Sequence, residues 1–185
     1  MTGTLPSSPH RHIRWVAVTT AEVAWRVLDQ ARQEKGYSQK VLSREVTMGQ
    51  QGVNYLWRKR GANFRWEALL EFAGALDCCL RFKPGSTWHA ETLHTRGGRA
   101  EADRAMREDL RGAHDKWVAE RVRLNEPHSY AKLRADTQLS SATLSHWLSA
   151  SGDRGGAAPS LIALAGVLGL ELQIARQTVS GEGQR

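Results

Sequence analysis

The feature that most limits what this chain can fold into is an internal repeat. The stretch "LLEFAGALDCCLRF" (69–82) matches "LIALAGVLGLELQI" (161–174). Leu69, Ala73, Gly74, Leu76 and Leu80 recur as Leu161, Ala165, Gly166, Leu168 and Leu172, at an offset of 92. Upstream, "LSREVTMGQQGVNYL" (42–56) matches "LRADTQLSSATLSHW" (133–147) at an offset of 91, pairing Leu42 with Leu133, Met48 with Leu139 and Val53 with Leu144. Two blocks in the same order at nearly one offset mark two copies of one small unit. A chain of 185 residues has room for two such units and little more.

Apolar spacing within each copy reads as helical. Thr19, with Glu22 three residues on, forms a capping-box pattern. It precedes an apolar face at Val23, Val27, Leu28 and Ala31 that Gly36 stops. Further helices are expected from Ser38 to about Glu45, from Gly49 to about Lys59 and from Trp66 to Leu76. The second copy opens with a long helix from about Asp103 to Leu124, carrying Met106, Leu110, Ala113 and Trp117, and Pro127 ends it. Helices over about 129–136, 140–149 and 159–169 complete it. The polar, glycine-containing segment 85–102 reads as a linker with Gly97-Gly98 as its hinge. The expected fold is all-α: a basic arm (1–18), a first domain (19–84), the linker (85–102), a second domain (103–177) and a polar tail (178–185).

Charge separates the copies. Residues 1–84 hold 13 Lys+Arg against 7 Asp+Glu, and residues 85–185 hold 13 against 12, so nearly all of the net +7 sits in the first half. Such concentration suggests a polyanionic partner more than a solubility device. Other chemistries find little support. The seven histidines do not fall at metal-ligand spacing, so no metal or cofactor is expected. "SGDRGG" lacks the Lys-Ser/Thr of a phosphate loop. No nucleophile–base pair stands out, and no Ser-Lys segment of the self-cleaving kind, so the chain does not read as an enzyme. Cys78 and Cys79 are adjacent, which suits two buried, reduced thiols better than a disulfide or a metal pair. The tryptophans fall mostly on apolar faces and suit packing better than base stacking. No long apolar run suggests a membrane span and no secretory leader is apparent, which points to the cytoplasm.

A short helix, a tight turn and a helix with polar outward residues make a helix-turn-helix plan. Ser38-Gln39, Leu42-Ser43, Thr47-Met48-Gly49, Val53-Asn54, Leu56-Trp57 and the tail "FAGALDCCL" resemble the phage-repressor/Cro-type (XRE) helix-turn-helix family, with a lambda-repressor-like fold. Ser129, Leu133, Gln138-Leu139-Ser140, Leu144-Ser145 and "LAGVLGLEL" carry the same resemblance in the second copy. The turn glycine of the family is Thr47 here, and its acidic position is Trp57. The resemblance implies two tandem domains and double-stranded DNA as partner, in a bacterial, phage or mobile-element transcription regulator. Repression is the family's commoner outcome.

On that plan Gln50 and Gln51 meet base edges, with Asn54 and Tyr55 one turn on. Arg58, Lys59, Arg60 and Arg65 meet phosphate, and the resemblance gives Gln39 a backbone phosphate as well. Arg11 and Arg14 are candidates for an adjacent minor groove. The second copy presents Ser140, Ser141, Ala142, Thr143, Ser145 and His146, a nearly neutral set. It either reads a second, different half-site or contacts RNA polymerase, a toxin or a co-regulator while the first copy tethers DNA. A homodimer, and a DNA-recognising subunit of a viral packaging ring, are further options that the sequence leaves open.

Overall fold

The computed structural model describes residues 14–62, 64–149 and 156–176. Arg11 and the tail 178–185 lie outside them. The element order is β1 (Arg14–Ala17), α1 (Ala21–Glu34), α2 (Gln39–Glu45), α3 (Gln50–Arg58), α4 (Trp66–Ala75), β2 (Cys78–Lys83), β3 (Thr87–Trp88), α5 (Ala90–His94), α6 (Arg96–Arg123), α7 (Tyr130–Thr137), α8 (Ser141–Leu148), α9 (Ala158–Val167) and β4 (Glu171–Arg176).

The helices follow their caps. Thr20, one residue after the expected Thr19, accepts a hydrogen bond from the Val23 amide and starts α1. Ser38, Thr95, Ser129 and Ser140 cap α2, α6, α7 and α8 in the same way. Asp77 and Gly169 both take a left-handed conformation, with φ of 54° and 78°. They sit just past α4 and α9, 92 residues apart, and both end a helix so that a strand can begin.

Those strands overturn the all-α expectation. A four-stranded antiparallel sheet runs in the order β1-β4-β2-β3, so the fold is mixed α/β. The central pair, β2 and β4, consists of the ends of the two repeats. Arg81 pairs with Gln173, its own repeat equivalent 92 residues on, and the pairs Leu80–Ile174 and Phe82–Leu172 exchange equivalents around them. A second bridge repeats the relation. Arg65 bridges Ala157, again 92 residues apart, and the Trp66 amide donates to the Gly156 carbonyl as the Ala158 amide donates to the Phe64 carbonyl. A pseudo-two-fold axis therefore passes through the Arg65–Ala157 and Arg81–Gln173 pairs, giving the self-complementary interface of a symmetric dimer within one chain.

The flanking strands obey the same axis. The Val18 amide donates to the Leu172 carbonyl, and Trp88 pairs with Leu80, the equivalent of Leu172. Val18 and Trp88 are both buried. The segment 85–102 is thus no linker. It holds β3, α5 and the first turns of α6, which open the second repeat as β1 and α1 open the first. The basic arm is likewise shortened, because 14–17 are held in the sheet against β4. The second repeat departs from the first by lengthening its opening helical segment, 28 residues in α6 against 14 in α1.

One continuous core joins both copies, from Leu28, Leu42, Val53 and Leu69 to Leu133, Leu144, Trp147 and Leu161. Leu80, Phe82, Leu172 and Ile174 cover it from the sheet. Cys78 and Cys79 are buried and not joined in a disulfide, and burial pushes the Cys78 thiol up to about 12. No helix among the described residues is long and apolar enough to cross a membrane.

Candidate nucleic-acid interface

The α3 helix is divided cleanly by burial. Val53, Leu56 and Trp57 are buried, while Gln50, Gln51, Asn54 and Tyr55 are exposed. The spacing accounts for it: residues 50, 51, 54, 55 and 58 fall on one face of a helix and 53, 56 and 57 on the other. Gly49 caps the helix without a side-chain hydrogen bond, which leaves the first-turn amides at its positive end to water or an anion. Arg58, Lys59 and Arg60 continue the exposed face, and Arg60 (φ 48°) and Gly61 (φ 74°) turn the chain sharply. Arg65 is also exposed, and its backbone lies on the pseudo-two-fold axis. Gln39 is half-buried in the first turn of α2. Arg14, exposed at the start of β1, belongs to the sheet.

The turn before α3 has its own fastening. Both the Thr47 amide and its hydroxyl donate to the Glu71 carboxylate on α4, at 2.9 and 3.0 Å. Glu71 is held in turn by Arg99 of α6, 3.5 Å away. No left-handed residue is needed here, which explains how threonine replaces glycine. The second copy solves the same turn differently, with Gln138 itself left-handed at φ 58°.

Trp57 is a packing residue. Its ring meets Phe72 edge-on at 5.2 Å, and its Nε1–H donates to Asp29 Oδ1 at 2.6 Å. Burial works against the Asp29 charge, but the hydrogen bonds from Trp57 and Arg32 and the Arg32 charge outweigh it and hold the carboxyl below its usual range. This pair ties the back of α3 to α1.

The second copy presents less. Ser141 and Ser145 are exposed on α8. Ser140 and Thr143 are engaged with each other: Ser140 Oγ accepts from the Thr143 amide and lies 2.9 Å from its hydroxyl. His146 does not point out as expected. It is half-buried, its ring lies edge-on to Trp147 at 5.0 Å, and its carbonyl accepts from Arg107 at 2.7 Å. Sequence reading missed the residues that hold the α3 turn, α3 and α8 from behind, Glu71, Asp29 and Arg107. Their spacing to their partners crosses helices and leaves no local signal.

The pseudo-two-fold axis relates α3 to α8, so the basic, glutamine-bearing helix and the neutral, serine-bearing helix occupy equivalent places. No family model, curated protein or solved structure matches the chain.

Proposed function

We propose that the chain is a cytoplasmic, sequence-specific double-stranded DNA-binding transcription regulator of bacterial, phage or mobile-element origin, with repression favoured over activation. The observation that carries the reading is the exposed face of α3. Four residues able to read base edges lie on one face, continuous with Arg58, Lys59 and Arg60, on a helix locked from behind. Glutamine can bond adenine N6 and N7 bidentately. The basic residues supply sequence-independent affinity through phosphate.

The axis adds geometry to that reading. Two recognition helices related by a two-fold suit two half-sites about one helical turn apart. Because α3 and α8 carry different side chains, the half-sites differ in sequence while their backbones are related by symmetry. Selection of bound DNA from a random library by the full chain tests this. A two-part asymmetric motif is expected, one part of which changes in Gln50→Ala/Gln51→Ala and the other in Ser141→Ala/Ser145→Ala. An unchanged motif in the glutamine double variant would place recognition elsewhere.

The neutral face of α8 favours a second reading for that copy alone. Its outward residues are Ser141, Ala142 and Ser145, with no cation among them. In that reading it contacts a protein, such as RNA polymerase or a toxin, while the first copy holds DNA. A single-part motif that is indifferent to Ser141→Ala/Ser145→Ala would select it.

A further inference from the structure

A cleft of about 390 Å³ lies between α4 and the N-terminal half of α6, against the turn that precedes α3. Its volume is within the usual range for small-molecule sites. Arg96, Ala100 and Asp103 line it from α6 and fall on one helix face, spanning roughly 10 Å. Glu67, Leu70 and Glu71 line it from α4, and Thr47 from the turn before α3. Along the α6 face the lining runs from the Arg96 cation through Ala100 to the Asp103 carboxylate, with Leu70 opposite and Arg99 paired with Glu71 beside them.

Asp103 is the anomaly. It is buried, 8% exposed, and Arg107 engages only its Oδ2, at 3.2 Å. Oδ1 is buried without a hydrogen-bond partner. A carboxylate oxygen in that position carries a desolvation cost that a cationic donor would remove. Glu71 cannot be offered the same role, since Thr47 and Arg99 already occupy it.

We infer that this cleft binds a small linear amino acid whose ammonium and carboxylate are separated by a short methylene chain. The ammonium donates to Asp103 Oδ1, with Glu67 as a second carboxylate on the lining. The methylenes lie on Leu70 and Ala100, and the carboxylate meets Arg96 at the exposed end. The site reaches both helix-turn-helix units. Glu71 holds the Thr47 turn before α3. Asp103 orients Arg107, which donates to the His146 carbonyl on α8 and lies over the Trp147 ring at 5.1 Å. A ligand that rearranges Asp103 therefore acts on the element that positions the second recognition helix. The use of the cleft as an effector site rests on the DNA-binding reading; the binding itself does not.

Calorimetry on the full chain without DNA separates the two. The probe is 5-aminopentanoate, with pentanoate and pentylamine as one-ended controls. Saturable 1:1 binding of the two-ended probe is expected, with either control at least about tenfold weaker, as befits removal of one charge-assisted hydrogen bond. Arg96→Gln, at an exposed position, and Ala100→Leu, which fills the middle of the cleft, should each weaken binding about tenfold or more. Asp103→Asn should do the same, and the other two variants decide the matter if it does not fold. Bound probe should also slow hydrogen exchange at the Trp147 amide of α8 and at the Ser149 amide that caps its C-terminus. Absence of binding, or equal binding of the one-ended controls, or wild-type affinity in both Arg96→Gln and Ala100→Leu, would each overturn the site. Binding that leaves DNA affinity unchanged would retain the site and remove only its regulatory use.

Discussion

At the scale of single residues, the proposed interface makes two separable demands. Base-reading residues should set preference, and cations should set strength. Replacing Gln50 and Gln51 with alanine should cost about 1–3 kcal/mol of discrimination for each bidentate glutamine–base pair, with little effect on binding to unrelated sequence. Replacing Arg58, Lys59 and Arg60 with alanine should weaken binding to all sequences. It should also flatten the dependence of log affinity on log salt, by about one unit of slope for each phosphate no longer neutralised. Titrations on specific and random duplexes across a salt series read both. Behind the interface, Trp57→Phe removes the hydrogen bond to Asp29 and should destabilise the chain by about 1–2 kcal/mol at neutral pH. The folded Asp29 carboxyl titrates below its usual value, so its contribution is complete above that value and is lost as pH falls through the folded one. The difference between wild type and Trp57→Phe should therefore shrink below about pH 4, as denaturant melts at several pH values would register.

At the scale of elements, the helices were legible and the strands were not, for a physical reason. Helix signals are local: caps such as Ser38, Ser129 and Ser140 and an apolar spacing such as Met106, Leu110 and Ala113 lie within a few residues of one another. β2 pairs with β4 across some ninety residues, and the apolar–polar alternation that each carries, Leu80-Arg81-Phe82-Lys83 and Leu170-Glu171-Leu172-Gln173-Ile174, is short, abuts a helix and cannot name its partner strand. The signal that was present is the helix stop. Asp77 and Gly169 occupy matching places, and each precedes a short stretch of strand-like alternation. The same limit applies to 85–102, where glycines suggested a hinge. Gly98 instead lies in the capped first turn of α6, and a Cβ there would come 1.9 Å from the Thr92 carbonyl oxygen. Gly98→Ala should cost about 1–3 kcal/mol, whereas Gly97→Ala, with nothing within 4 Å, should be neutral or stabilising by up to about 1 kcal/mol. A true hinge would tolerate both changes alike in thermal melts.

At the scale of the whole molecule, the repeat was visible in sequence but its mode of assembly was not. Two domains on a linker would move independently. The observed halves share a sheet, a bridge at Arg65–Ala157 and one core. The molecule should consequently unfold in one transition, with circular dichroism and tryptophan fluorescence coinciding. Ile174→Ala, in the strand shared by β1 and β2, should lower stability of the entire chain by about 2–5 kcal/mol rather than release one half. Two separate transitions in the wild type would contradict the shared core.

The internal axis also bears on dosage. A regulator that must pair before it binds has an occupancy that rises with the square of its concentration when it is scarce, and it loses its grip on dilution. Here the pairing surface is satisfied within one polypeptide, by Arg81 against Gln173 and by Arg65 against Ala157. Under the proposed function, occupancy of a target would follow the first power of copy number. A cell holding a few molecules would hold as many complete readers, and the threshold behaviour that separable subunits give to a genetic switch would have to come from elsewhere.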